Sequence, residues 1–187
     1  MTEEIQMFLD EADDNMKKAV SHVVEEFKKI RAGKANPNML DSLLVEYYGN
    51  NTPLNQIASV TTPDARTIMI KPWEKKMVSE IERAIINSGL GLNPQNDGEI
   101  VRLNIPPLTE ERRKQLVKQA KNEAENGKVS VRNTRKDAND AIRKLTNEGV
   151  SEDMVKDGEE SVQQLTNKYT NRIDGLLEDK EKEIMTV

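Results

Sequence analysis

The chain has 187 residues, 33% of them charged and 35% hydrophobic, with aromatics held to 3% and a formal net charge of −5. This balance is too apolar for a disordered chain and lean for a compact globule, and it suits long, surface-rich helices with narrow apolar seams. The absence of cysteine excludes disulfides, thiolate metal sites and a Cys nucleophile, and no apolar run reaches the roughly 18 residues of a membrane span. The acidic opening Met1-Thr2-Glu3-Glu4 lacks the basic-then-apolar pattern of a signal peptide, so a soluble cytoplasmic protein is expected.

Residues 2 to 31 read as the first helix. Thr2 is its candidate cap, with Glu3 and Glu4 favourable in the first turn. Ile5, Leu9, Ala12, Met16, Ala19, Val23, Phe27 and Ile30 fall at steps of three and four and define one apolar face. Phe8, Val20 and Val24 widen it, and Gly33 and Pro37 end it. The texture then changes. Leu44 to Tyr48 reads as a strand followed by the turn former Gly49-Asn50-Asn51, and Ile57 to Thr61 as a second strand. Arg66 to Lys71 alternates strictly, as a half-buried strand does. Pro72-Trp73-Glu74 opens a short helix with Met77, Ile81, Ala84 and Ile85 on one face and Gly89 as its stop. A loop-rich stretch to Gly98 leads to a last strand over Ile100 to Ile105.

From about Leu108 to Asn147 the pattern is helical again, with Val117, Ala120, Ala124, Val131, Ala138, Ile142 and Leu145 as the seam. Gly127 stands where the seam wants an apolar residue, and Asn126-Gly127 is also a turn signal. After Asn147-Glu148-Gly149, Ser151 caps a third helix whose seam is Val155, Val162, Leu165, Tyr169, Ile173, Leu176 and Ile184. None of the three long helices can bury its stripe alone, but together they can. The expected fold is therefore α+β. It is a long antiparallel three-helix bundle made of residues 1–31 and 108–187, with a small β/α/β domain inserted at 32–107. Both crossings lie at one end of the bundle, which predicts an L-shaped, hinged molecule with Gly33 on one crossing and Pro106-Pro107 on the other.

The long second helix carries the wrong charge for its surroundings. Thr109 to Asn147 holds eleven Lys and Arg against six Asp and Glu, a net of +5, so the rest of a chain at −5 sums to −10. On a wheel at about 100° per residue, Lys114, Lys118, Lys121, Lys128, Arg135, Lys136 and Arg143 fall within about 60° of Arg132, and the seam lies about 100° to one side. Glu110 and Glu125 interrupt that face. One account is a solvated face laced with salt bridges. The other is a track for a phosphate backbone, and without an aromatic platform for stacked bases it points to folded RNA read by shape and phosphates.

Signals for catalysis are weak. His22, the only histidine, has no nucleophile or orienting acid placed beside it by the sequence, and no His/Cys set exists for a transition metal. Gly89-Leu90-Gly91-Leu92-Asn93-Pro94 lacks the third glycine and the Lys-Ser/Thr of a phosphate loop, follows a helix, and reads as a turn. No catalytic residue, metal site or cofactor is expected. Trp73 and the pair Tyr47-Tyr48 read most simply as core or groove residues of the small domain, and a docking surface is the sharper alternative.

Several longer stretches carry a resemblance. They are Lys29 to Pro37, Val45 to Gly49, Ile57 to Val60, Leu90 to Pro94, Pro106 to Lys114, and Val131 to Asn139. In this order and over the whole length, the chain resembles the bacterial ribosome recycling factors. The resemblance implies a two-domain protein with a tRNA-like outline that acts as a monomer after termination. It implies binding to ribosomal RNA of the large subunit. It also implies work with elongation factor G, whose GTP hydrolysis helps to split the post-termination ribosome. The family's functional arginines match Arg132 and Arg135, with Arg112 or Arg113 near the hinge. Lys121, Lys128, Lys136 and Arg143 complete the expected RNA face. The hinge matches Arg31, Ala32 and Gly33 with Ile105, Pro106 and Pro107. Lys34 and Lys136 stand where the family often has arginine, and Ala32 where it often has a hydroxyl residue; lysine keeps the charge and loses the bidentate fork. The rival reading is a coiled-coil adaptor without RNA binding, whose seams serve oligomerisation.

Overall fold

The computed structural model describes residues 2–186. The chain divides into two compact units, Met1–Ala32 with Glu110–Val187, and Gly33–Thr109.

The first unit is built from α1 (Glu3–Lys29), α4 (Glu110–Lys144) and α5 (Glu152–Met185). Thr2 caps α1 by accepting from the Ile5 N–H at 3.3 Å, and Ser151 caps α5 by accepting from Met154, as short hydroxyl side chains do at orphan N–H groups. A short 3-10 turn over Leu145–Glu148 and Gly149 separate α4 from α5. A Cβ added at Gly158 of α5 would touch Ile5 and Ile142, and Tyr169 of α5 reaches Asp13. Thus α1 and α5 run in the same direction, and α4 runs against both.

The α1 seam is Ile5, Leu9, Ala12, Met16, Val20, Val23, Phe27 and Ile30, all buried. It passes through Val20, and Ala19 is only half-buried. The helix faces two neighbours, and the larger β-branched side chain fills the space between them. In α4 the seam starts at Leu116, with Val117 at its edge, and in α5 it includes Gly158 and Thr166 where an apolar stripe was expected to run through Leu165. Thr166 is buried because its hydroxyl donates back to the Val162 carbonyl at 2.8 Å, leaving its methyl for the core. Each fully buried Ile, Leu or Val stabilises the bundle by roughly 1.5–3 kcal/mol.

Helix α4 is continuous through Asn126-Gly127, so the turn signal there is overridden. The reason is close packing: a Cβ at Gly127 would collide with Val23 Cγ2 and lie 3.3 Å from Ile173 Cδ1. Among the described residues no helix is long and apolar enough to cross a membrane.

The second unit holds β1 (Leu44–Tyr47), β2 (Asn50–Pro53), α2 (Leu54–Ile57), β3 (Ala58–Asp64), β4 (Thr67–Pro72), α3 (Val78–Asn87), β5 (Pro94–Asn96) and β6 (Val101–Asn104). β1 and β2 form a hairpin turning at Tyr48 (φ 47°) and Gly49 (φ 80°), so Asn50 and Asn51 belong to a strand and not to the expected turn. The other four strands make an antiparallel sheet in the order β3-β4-β6-β5. Ile68 pairs with Leu103 and Ile70 with Val101, all buried on one face, beneath Val78, Ile81 and Ile85 of α3. Ile57 closes a helical turn in place of opening a strand, and α3 begins at Val78, after a 3-10 turn over Lys75–Met77, and not at Pro72.

The chain arrives in this unit and leaves it at one place. The Ala35 N–H donates to Ala65 at 2.8 Å and the Ile105 N–H to Arg66 at 2.7 Å, so both segments are pinned to the β3–β4 turn. Gly33 (φ +70°) lies so close to Leu108 that an added Cβ would stand 2.6 Å from Leu108 Cγ.

Candidate nucleic-acid interface

The basic residues of α4 fall into two rows, and tertiary contacts divide them. The row nearer α5 is engaged across the helix pair. Lys121 lies 3.6 Å from Glu181, Lys128 is ion-paired with Asp174, Arg143 with Glu159, and Arg135 donates to Gln163 at 3.3 Å. Residue numbers rise along α4 as they fall along α5, the signature of an antiparallel electrostatic ladder. Lys128 is well enclosed, its side chain 21% exposed. The sequence of α4 shows only its own acids; Glu159, Asp174 and Glu181 are added by α5.

The outer row is Lys114, Lys118, Arg132 and Lys136, all exposed. Lys114 pairs with Glu110 at 3.1 Å, one helical turn away. Lys118 and Lys136 have no ion-pair partner among the described residues. Arg132 bonds Glu125 at 2.5 Å, seven residues earlier on the same helix, with the two side chains 44% and 59% exposed. Asn139 lies in the same stripe with a buried Oδ1 that has no hydrogen-bond partner among the described residues.

The arginines at the start of α4 differ from each other. Arg112 is exposed and donates to Gln115 at 3.1 Å. Arg113 turns inward: Nη1 donates to the Met185 carbonyl at 3.3 Å, and Nε is buried without a hydrogen-bond partner among the described residues. It thereby satisfies one of the carbonyls that a helix leaves open at its C-terminus, here that of α5. Its wheel position, about 100° from Arg132 on the seam side, was legible in the sequence.

Of the expected hinge residues, Arg31 is exposed and Ala32 half-buried, both in the first unit. Gly33, Ile105, Pro106 and Pro107 belong to the second, and Ile105 is part of its core.

The small unit carries a second cluster. Tyr47 and Tyr48 pack edge to face and donate their hydroxyls to the two oxygens of Glu74 at 2.7 and 3.0 Å. Lys76 pairs with Glu74 at 3.0 Å and lies over the Tyr48 ring. The bond from Tyr47, followed by those from Lys76 and Tyr48, holds the Glu74 carboxyl below its ordinary range. Of the two expected places, core or groove, Tyr48 and Trp73 do not take the core, being solvent-exposed, and Trp73 flanks a groove of about 350 Å³ lined also by Pro37, Leu40 and Leu54. His22 is exposed on α1, and Gly89-Leu90-Gly91-Leu92-Asn93 is irregular loop.

Known proteins match this chain end to end. A ribosome-recycling factor of Amoebophilus asiaticus is 60% identical over 185 residues, covering 99% of this chain and 100% of that protein. One of Cytophaga hutchinsonii is 54% identical with the same coverage. A solution structure of a ribosome recycling factor superposes with a TM-score of 0.75 at 40% identity, covering 100% of both chains. Models of the T. thermophilus ribosome recycling factor and the E. coli elongation factor G bound to the E. coli post-termination complex match with a TM-score of 0.62 at 43% identity, again over 100% of both chains. The sequence model of the ribosome recycling factor family itself spans residues 23–185, and with relatives of this identity over full length the chain belongs to the ribosome recycling factor family.

Proposed function

We propose that this protein acts after translation termination, binding the large ribosomal subunit and, with elongation factor G and the GTP which that partner hydrolyses, splitting the post-termination complex. The observation that carries this reading is the full-length match to models of a recycling factor and elongation factor G bound to that complex. The protein contributes no covalent chemistry of its own and works as a cytoplasmic monomer.

In this reading the outer basic row of α4, with Arg132 at its centre and Lys118 and Lys136 beside it, meets the phosphates of ribosomal RNA. Arg135, Lys121, Lys128 and Arg143 add positive potential while they tie α4 to α5, and Arg112 extends the face toward the start of the helix. The bundle, residues 1–31 and 108–187, is the RNA-binding domain. The inserted domain, 32–107, receives the push of the GTPase and swings about Arg31-Ala32-Gly33 and Ile105-Pro106-Pro107.

The test is a splitting assay with purified post-termination ribosomes, elongation factor G and GTP, read by light scattering. Adding this protein is expected to release subunits only when all three are present. Ribosomes that stay intact under those conditions overturn the reading.

A further inference from the structure

Two cations of the outer row have their acidic partner within the same face, Lys114 with Glu110 and Arg132 with Glu125, and of these Arg132 is the one that carries a guanidinium fork. Glu125 sits about 20° from Arg132 on the wheel, in the middle of the basic stripe. Their 2.5 Å bond joins two residues of one helix. Breaking it separates no helices, unlike the Lys128–Asp174 and Arg143–Glu159 pairs that bridge α4 to α5. An exposed pair of this kind adds little to fold stability. A carboxylate bonded to the guanidinium nevertheless occupies the donors a phosphate would use, because carboxylate and phosphate are recognised by the same fork.

Resting on the RNA-face reading above, we infer that Glu125 is an internal competitor for Arg132, a residue that weakens phosphate binding and speeds release of the factor from RNA. Phosphate must displace the carboxylate to reach Arg132, and the displaced Glu125 then stands beside the phosphate as a like charge. Both effects act in the same direction. They keep the basic face from holding RNA too tightly for a factor that must leave after each round.

The test uses Glu125→Gln, Arg132→Gln and the double variant in the full chain, with purified large ribosomal subunits and a plain RNA duplex as probes. Unfolding midpoints first establish that the exposed substitutions leave the fold intact. Glu125→Gln is expected to tighten both probes roughly two- to fivefold at low salt and to slow dissociation from subunits, the scale of one exposed pair. Arg132→Gln is expected to weaken both probes and, in the double variant, to leave only the smaller part of the gain that comes from removing a like charge. An unchanged or weaker Kd for Glu125→Gln, or an equal gain in the Arg132→Gln background, overturns the competitor role while leaving the RNA face in place. If Arg132→Gln leaves both probes unaffected, the RNA-face reading falls, and the inference with it.

Discussion

Gly127 of α4 sits against Val23 of α1 so closely that no Cβ fits between them. Glycine inside a helix ordinarily costs about 1 kcal/mol relative to alanine. Here that cost is offset by the approach it allows, with Ile173 of α5 on the other side. Gly127→Ala is expected to destabilise the protein by roughly 1–3 kcal/mol through overpacking, in spite of the gain in helix propensity. Urea unfolding measures it. Val23→Ala in the same chain should recover much of the loss, and a Gly127→Ala variant more stable than the parent would refute the close-packing account.

Gly33 carries a different constraint. Its φ of +70° disfavours any residue with a Cβ by roughly 1–2 kcal/mol, and a Cβ there would overlap Leu108. Gly33→Ala should therefore cost more than the backbone term alone, and Leu108→Ala should relieve the overlap but not the strain. A double-mutant cycle by chemical denaturation separates the two contributions.

Arg113 and Arg132 both begin as cations on the same helix, yet their surroundings predict opposite outcomes. Arg132→Ala should weaken binding to large subunits and lower the slope of log affinity against log salt by about one, with little change in stability. Arg113→Ala should loosen the end of α5, seen as faster amide exchange near Met185, and leave the salt slope nearly unchanged. A salt slope that falls equally in both variants would contradict this division.

Tyr169 joins α5 to α1 by donating to Asp13 at 2.6 Å, and Asp13 also pairs with Lys17 at 2.5 Å. The bond from Lys17, then that from Tyr169, holds the Asp13 carboxyl below its ordinary range. A lowered carboxylate pKa adds stability that is present above about pH 3.9 and fades as pH falls through the folded value. Tyr169→Phe is expected to cost about 1 kcal/mol at pH 7, since Asp13 keeps Lys17 and partial solvent. The gap between the two proteins should hold from pH 5 down to about pH 4 and narrow as the pH is lowered further. Denaturant midpoints across that range decide it, and a constant gap would show that the carboxylate charge is not involved.

The three long helices and their caps were legible because apolar spacing and short hydroxyl residues are local signals; Thr2 and Ser151 both cap as their positions suggest. Gly127 was placed in the seam but not accounted for, and Gly158 and Thr166 escaped, because seam positions at the closest helix approach select for small or self-satisfied side chains, not for hydrophobicity. β2 and β5 are short and polar, with a proline each, and exist as strands only through pairing with β1 and β6. The basic stripe itself was plain in the sequence. Its division was not, because Glu159, Asp174 and Glu181 reach α4 only in the antiparallel register of the bundle.

The β3–β4 turn that holds both Ala35 and Ile105 also bears on how the chain assembles. Helix α1 is complete at Lys29, but its partner α4 begins only at Glu110. The pairing of Val23 with Gly127 would otherwise close a loop of on the order of 80 disordered residues. Once the inserted unit has folded on its own local contacts, its two ends are joined at Ala65 and Arg66, and the effective loop shrinks to a few residues. Loop closure entropy falls by about 2 kcal/mol over such a contraction. During synthesis the insert thus brings the waiting first helix to the point where the second emerges, and the bundle closes over a short span.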